Sequence, residues 1–318
     1  MIYSIRHRTT LLYEPAVRES VMEVRLQPRN EGAQRCTRFQ LEVTPSTHIM
    51  EYRDFLGNAV HHFDIAPAHT QLEVQALSLV EVRPVQPPDA ASGGDWADLD
   101  AAVANDDHWE MILPSHFARP TQALNALAGE LNCQRRRASP LELVTELNQA
   151  IYRLFAYVPN STRVDSPIDE ALRTRQGVCQ DFAHIMLALL RPLQIPCRYV
   201  SGYLFHSDDA EDRSLEGASH AWVEALLPGQ GWTAFDPTNN LVGGSRHIRV
   251  AVGRDYADVP PTRGVYKGET QSELRVAVTV SASELPPADP AVPATVVRSR
   301  PVLVPSFARL EQEQQQQQ

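Results

Sequence analysis

The chain has 318 residues, 24 of them proline, with 43% hydrophobic and 21% charged residues and a formal net charge of −10. Its length predicts two domains at about 150 residues each, and the acidic balance excludes a sequence-independent grip on nucleic acid, for which Arg135-Arg136-Arg137 is too short a basic run. No stretch approaches the ~18 uninterrupted apolar residues of a membrane span, and Met1-Ile2-Tyr3-Ser4-Ile5-Arg6-His7-Arg8 has no signal-peptide core, so the expectation is a soluble, cytoplasmic protein.

Residues 1–84 alternate with period two. Met22, Val24 and Leu26 interleave with Glu23, Arg25 and Gln27, then Phe39, Leu41 and Val43 with Gln40, Glu42 and Thr44. After the turn chemistry of Asp54-Phe55-Leu56-Gly57-Asn58 the pattern resumes at Ala59, His61, Phe63 and Ile65, and again at Leu72, Val74 and Ala76. Several half-buried strands in so short a span predict an antiparallel β-sandwich. Residues 85–118 open with Gln86-Pro87-Pro88-Asp89 and Ser92-Gly93-Gly94-Asp95, breakers without periodicity, and read as a linker.

From 119 to 284 the order is helices, then sheet. Leu124, Leu127 and Leu131 form one helical stripe, and Val144, Leu147 and Ile151 another. Ser166-Pro167-Ile168-Asp169-Glu170 predicts a serine-capped helix running to about Arg175. A second starts near Gly177-Val178-Cys179 and stops at Arg191-Pro192. Strands follow at Arg198–Leu204, His220–Ala225, Trp232–Asp236 and along Leu274, Val276, Val278 and Val280, while Arg254-Asp255-Tyr256 and Arg263-Gly264 either line the cleft or brace the domains. Residues 285–318, Pro-rich and ending in five glutamines, are assigned to disorder on composition.

The four cysteines contain no CxxC pair, which signals neither a disulfide framework nor a paired-cysteine zinc site. Cys179 stands apart because it opens an amphipathic helix, where free N–H groups and the positive dipole end favour an anionic, nucleophilic sulfur. His220 lies at the start of one strand and Asp236 at the end of the next, joined by Pro228-Gly229-Gln230-Gly231, so a hairpin brings them together. A carboxylate that fixes the tautomer of an imidazole lets it deprotonate a thiol and later protonate a leaving amine. Cys36, Cys133 and Cys197 lack such a setting. Asp181 reads as a cap in the first helical turn and His184 as structural. His61-His62, with His48 and His69, read as surface and edge histidines rather than metal ligands.

Gly177-Val178-Cys179-Gln180-Asp181-Phe182-Ala183-His184, Ile195-Pro196-Cys197-Arg198-Tyr199-Val200-Ser201-Gly202-Tyr203, Ser219-His220-Ala221-Trp222-Val223-Glu224 and Trp232-Thr233-Ala234-Phe235-Asp236-Pro237-Thr238 resemble the bacterial transglutaminase-like superfamily, and residues 1–84 resemble its β-rich N-terminal region. The resemblance implies an α+β fold, a sandwich followed by a papain-like core over 119–284, with Cys179, His220 and Asp236 as catalytic triad. It implies acyl transfer or hydrolysis at an amide of a peptide, protein or small molecule through a thioester on Cys179, with hydrolysis placed ahead of transfer to an amine. An oxyanion hole would use the Cys179 backbone N–H and a second donor, Tyr157 or Gln180. No cofactor or metal is required. The competing reading is a catalytically silent binding or scaffolding protein that keeps the fold.

Overall fold

The computed structural model describes residues 1–89, 94–105, 108–207, 210–268 and 271–283, and the backbone of 295–296. The predicted disorder of 285–318 falls almost wholly outside the described residues.

Five strands fill the N-terminal region: β1 (Ile2–Val24), β2 (Gln34–Thr44), β3 (Ile49–Arg53), β4 (Ala59–Ile65) and β5 (His69–Val82). A 23-residue strand would run ~75 Å if straight, far beyond the width of a small domain, so β1 has to bend. Its first half, Ile2–Leu12, pairs with β5, while Ser20–Val24 pairs with β4. Register irregularities between Leu12 and Val17 and between Arg18 and Val21 mark the crossing, and the sheet curls there into two packed leaves. Inward positions alternate as the pattern requires, with Tyr3, Ile5, Val74, Val80 and Phe63 nearly sealed from solvent.

Two of the sheet's three further strands lie on β1, and they come from the far end of the chain. β13 (Thr262–Lys267) and β14 (Gln271–Ser283) pair antiparallel with the two halves of β1. The sequence reading places them with the second domain. Alternation marks a strand as half-buried but carries no record of which sheet receives it. Gly264 makes that contact close: a Cβ there would overlap the Met22 side chain. The segment read as linker also contains a helix, α1 (Trp96–Asn105), anchored by Leu99 in the core and by Trp96 under the Arg136 guanidinium at 4.7 Å. With two apolar anchors between breakers, its periodicity is too short to read.

The second region packs α2 (Gln122–Glu130), α3 (Pro140–Leu154), α4 (Ile168–Thr174) and α5 (Cys179–Leu190) on a five-stranded antiparallel sheet. Its order is β11 (Leu241–Val242), β10 (Gly231–Asp236), β9 (His220–Leu227), β8 (Cys197–Leu204), β12 (His247–Gly253). Helix α3 begins with a complete capping box between Ser139 and Glu142 and has Pro140 in its first turn. Helix α4 begins differently from the sequence expectation. Pro167 is the N-cap, and the Ser166 hydroxyl instead accepts from the Arg163 N–H at 3.0 Å, tightening the preceding loop. Every residue of α5 is buried, so this helix is the axis around which the others and the sheet pack. Burial of each large apolar side chain contributes ~1.5–3 kcal/mol.

The sheet edge at β12 would present unpaired backbone groups, and the N-terminal region covers them with two side-chain amides. Asn58 donates to Val252 O (2.9 Å) and accepts from Val252 N (2.8 Å), while Gln34 donates to Arg249 O (2.8 Å) and accepts from Arg249 N (2.7 Å). Each amide thus behaves as one residue of a missing strand. Beside them Glu31 and the fully buried Glu224 hold Arg198 at 2.8 and 2.6 Å, Arg249 also pairs with Glu224, and Arg29 pairs with Glu31 at 2.7 Å. Asn58→Ala should therefore lower the unfolding free energy by about 1–3 kcal/mol, the cost of orphaning buried backbone groups, measured by urea denaturation. An unchanged midpoint would show that water takes over the role of the amide.

Candidate active site

Cys179 owes its place to a short parallel pairing of β6 (Ala156–Tyr157) with β7 (Gln176–Gly177). This pairing sets Tyr157 beside Gly177, two residues before the cysteine. At Gly177 any Cβ would press on Asp181 Oδ2 at 2.9 Å and the Phe182 ring at 3.1 Å, so the chain enters the helix through the one residue that fits. The Asp181 carboxylate turns back to accept from the Val178 N–H (2.8 Å) and the Thr162 hydroxyl (2.5 Å), capping α5 as its position in the first turn predicts. Burial pushes its pKa up to about 6 against those hydrogen bonds. The Cys179 residue itself is 1% exposed.

His220 and Asp236 meet as the hairpin of β9 and β10 requires. His220 Nε2 donates to Asp236 Oδ2 at 2.8 Å, with both side chains buried. Burial works against a charged ring, but the Asp236 charge, the hydrogen bond to it and the interaction with the Cys179 thiol outweigh it and push the His220 pKa up to about 10. Asp236 responds in the opposite sense: burial favours its neutral form, yet the two histidines that donate to it, His220 first, hold its carboxyl well below the usual range. His220 Nδ1, the nitrogen not committed to Asp236, is buried without a hydrogen bond among the described residues, while the thiol interacts with the ring and favours its charged form. The residues read from the sequence as nucleophile, base and orienting acid are therefore one cluster.

The remaining candidates separate. Tyr157 lies close enough to Cys179 to feel its charge; burial first, then that charge, raises the tyrosine's pKa, partly offset by a hydrogen bond with the Leu215 backbone. Gln180 is anchored elsewhere, its side-chain amide donating to Val164 O at 2.8 Å. His184 accepts from the Tyr256 N–H at 3.2 Å and stacks on Phe117, and burial lowers its pKa to about 3. The Arg254–Tyr256 segment braces that buried side: Arg191 donates to Arg254 O, and Asp255 accepts from the Phe117 N–H at 2.8 Å. Burial raises the pKa of Cys36 to about 12 and of Cys197 to about 11, which makes them poor nucleophiles. His61 corrects the surface reading. It is 1% exposed on β4, packed against Phe39 and 3.8 Å from Glu51, because the strand's inward positions include it.

Two residues of the site carry no signal in the sequence reading. Asn239 donates to Asp236 Oδ2 at 2.9 Å and its own N–H, with that of Thr238, satisfies Oδ1 at 3.2 and 2.9 Å. His247, the first residue of β12, donates through Nε2 to the same Oδ2 at 3.1 Å. His220, Asp236 and His247 together offer three ligand atoms within 4.8 Å of one another, a spacing that would suit a metal ion. However, the Asn239 amide donor lies 2.9 Å from Oδ2 and 3.5 Å from His220 Nε2. A donor at that point suits the carboxylate and repels a cation, so hydrogen bonding accounts for the cluster.

Comparison with known proteins agrees with the geometry. Residues 127–237 match the transglutaminase-like superfamily and residues 3–81 the bacterial transglutaminase-like N-terminal region. An uncharacterised protein of Mycobacterium leprae is 35% identical over 276 residues, covering 86% of this chain and 96% of that protein. The chain belongs to the transglutaminase-like superfamily. A protein-glutamine gamma-glutamyltransferase of Pseudomonas aeruginosa is 38% identical over 128 residues, 36% of this chain and 18% of that enzyme. A structure from Cytophaga hutchinsonii, described as a candidate cysteine protease, superposes with a TM-score of 0.70 at 22% identity over 92% of this chain and 95% of its own, which shows a shared fold.

The ion pair has a pH signature. His220 has a folded pKa raised above the unfolded value of about 6.5, so its stabilisation is complete below that value and is lost as pH rises through about 10. Asp236 has a depressed folded pKa, so its contribution is present above the unfolded value and lost on acidification. Unfolding free energy measured by urea titration should fall between about pH 6.5 and 10 more steeply in the wild type than in Asp236→Asn. Parallel slopes would count against the pairing.

Proposed function

We propose that the protein is a cysteine-dependent acyl-transfer enzyme acting on an amide, of a peptide, a glutamine side chain or a smaller molecule. The observation that carries this reading is the convergence of His220 on Asp236 at one nitrogen while its ring interacts with the helix-start thiol of Cys179. In the reaction His220 already carries the proton, as its raised pKa requires, and the Cys179 sulfur attacks the carbonyl carbon. The tetrahedral intermediate collapses by breaking the C–N bond, and His220 gives that proton to the departing nitrogen, leaving a thioester and a free amine. Water, activated by the same ring, then attacks the thioester, releasing the carboxylic acid and restoring the thiol. A primary amine in place of water gives transfer instead of hydrolysis. The developing oxyanion would meet the Cys179 backbone N–H and the Tyr157 hydroxyl. Of Tyr157 and Gln180, Tyr157 is favoured as second donor because it interacts with Cys179 while the Gln180 amide is engaged with Val164. The P. aeruginosa relative, by its name, supports glutamine as one acyl donor to try first.

The test is ammonia release from glutamine-containing peptides, run with and without a fluorescent primary amine, together with peptide hydrolysis. Cys179→Ser and His220→Ala should each lower the rate by about 10⁴-fold or more, and Asp236→Asn by about two orders of magnitude less than these. Label incorporated into the peptide identifies transfer, and free acid alone identifies hydrolysis. Turnover that persists in Cys179→Ser would remove the cysteine mechanism, and absence of turnover in the wild type would leave the scaffold reading in its place.

A further inference from the structure

We propose that His247 is a positioning residue of this site, holding Asp236 from a second strand so that the carboxylate keeps one orientation against His220. The inference rests on the acyl-transfer reading above and extends its machinery by one residue.

Two imidazoles converge on a single oxygen. His220 Nε2 and His247 Nε2 lie 2.8 and 3.1 Å from Asp236 Oδ2, and the Asn239 amide adds a third donor at 2.9 Å. With the carboxylate ionised, each ring meets it as an Nε2–H donor. For neutral His220 this places the lone pair on Nδ1, the tautomer needed to take a proton from the thiol. Without His247, Oδ2 would be held by His220 and by Asn239, and Asn239 sits on the same turn as the carboxylate and can move with it, leaving Oδ2 freedom to tilt from the ring plane. The donor from β12 removes that freedom, because it reaches the oxygen from an element separate from both strands of the hairpin.

The two rings are also packed as a unit. Trp222 stacks near His220 at 6.0 Å and 26° and meets His247 edge-on at 4.9 Å and 61°, leaving the imidazole centroids 6.2 Å apart. Gly202 makes this possible, since a Cβ there would stand 2.7 Å from the indole. His247 faces Asp236 on β10 and His220 on β9, with Arg246 adjacent and paired to Asp212 at 2.7 Å. Arg249 and Asp89 border the groove beside it. Burial first, with the nearby His220 and Arg246 charges, lowers its pKa despite Asp236, which keeps it a neutral donor. Its Nδ1 is buried without a hydrogen-bond partner among the described residues. A side chain retained only to fill space would gain nothing from that orphaned nitrogen, whereas Nε2 gains the carboxylate.

His247 also lines a groove of ≈450 Å³ walled by Val85, Pro88, Trp232 and Arg249, so changing it does not open a closed cavity in the core. Glutamine at 247 can place an amide N–H near the position of Nε2, whereas asparagine is too short. The experiment follows Cys179 alkylation by iodoacetamide, with sites located by mass spectrometry, in the full chain from about pH 6 to pH 9, where thiols in general become ionised. Wild type should label rapidly at the acid end. His247→Asn should be about tenfold slower there, the worth of one hydrogen bond to a charged group, yet match the wild type at the alkaline end. His247→Gln should keep most of the wild-type rate. In an Asp236→Asn background His247→Asn should add no further loss, because it acts through that carboxylate. Equal acid-end rates in wild type and His247→Asn would overturn the proposal. So would equal losses in the Gln and Asn variants, or additive losses with Asp236→Asn. Slow Cys179 labelling in the wild type itself would overturn the acyl-transfer reading and the role of His247 with it.

Discussion

A carboxylate sealed from solvent has to be surrounded by donors, and Asp236 is the group on which this structure turns. It is 1% exposed and receives five hydrogen bonds, from His220, His247, the Asn239 side chain and the backbone of Thr238 and Asn239. Those donors come from β9, from β12 and from the turn after β10, so the site exists only when the whole sheet is assembled. The same demand gives the site its electrostatics. An anion kept ionised in a dry environment favours the charged form of a ring beside it, and His220, the ring in which this outweighs burial, also interacts with the cysteine that begins α5.

The rest of the molecule holds the two halves of that cluster in register. Helix α5, buried along its full length, fixes the cysteine, while the sheet fixes the histidine and the acid. The β6–β7 pairing and the Asp181 cap define the first turn of α5, and the fit at Gly177 leaves little room for the chain to enter it differently. On the far edge, Asn58 and Gln34 complete the hydrogen bonding of β12, the strand that begins with His247. The N-terminal sheet is thereby coupled to the site through a strand it does not own. Its closure by β13 and β14 ties those two late strands back onto β1, so neither region is a separable appendage.

Much of this was legible in the amino-acid order. Period-two alternation gave the N-terminal strands, helical stripes gave α2 and α3, and the glycine before Cys179 with the breaker at Pro192 bounded α5. The hairpin joining His220 to Asp236 is local, and local geometry is what spacing and turn residues encode. The reading was less successful where burial or partnership is set by distant chain. His61 looks like an exposed member of a histidine pair, yet its strand faces inward; Ser166 looks like a cap, yet the loop before it claims the hydroxyl. Gln180 follows Cys179 directly, and its amide is nonetheless turned to Val164.

The sequence by itself determined which residues of reactive type stand at the ends of regular elements: the helix-start cysteine, the strand-start histidine and the strand-end aspartate. Each is fixed by interactions within a few residues, namely the helix dipole, the capping groups and the hairpin turn. Only the tertiary structure decided that His247 and Asn239 share the aspartate, that β13 and β14 belong to the first sheet, and that Asn58 and Gln34 complete the second. Those relations join residues as distant as Ile2 and Ser283, and alternation or composition at one end cannot name a partner at the other, because a strand edge or a buried lone pair accepts any donor that packing brings within reach.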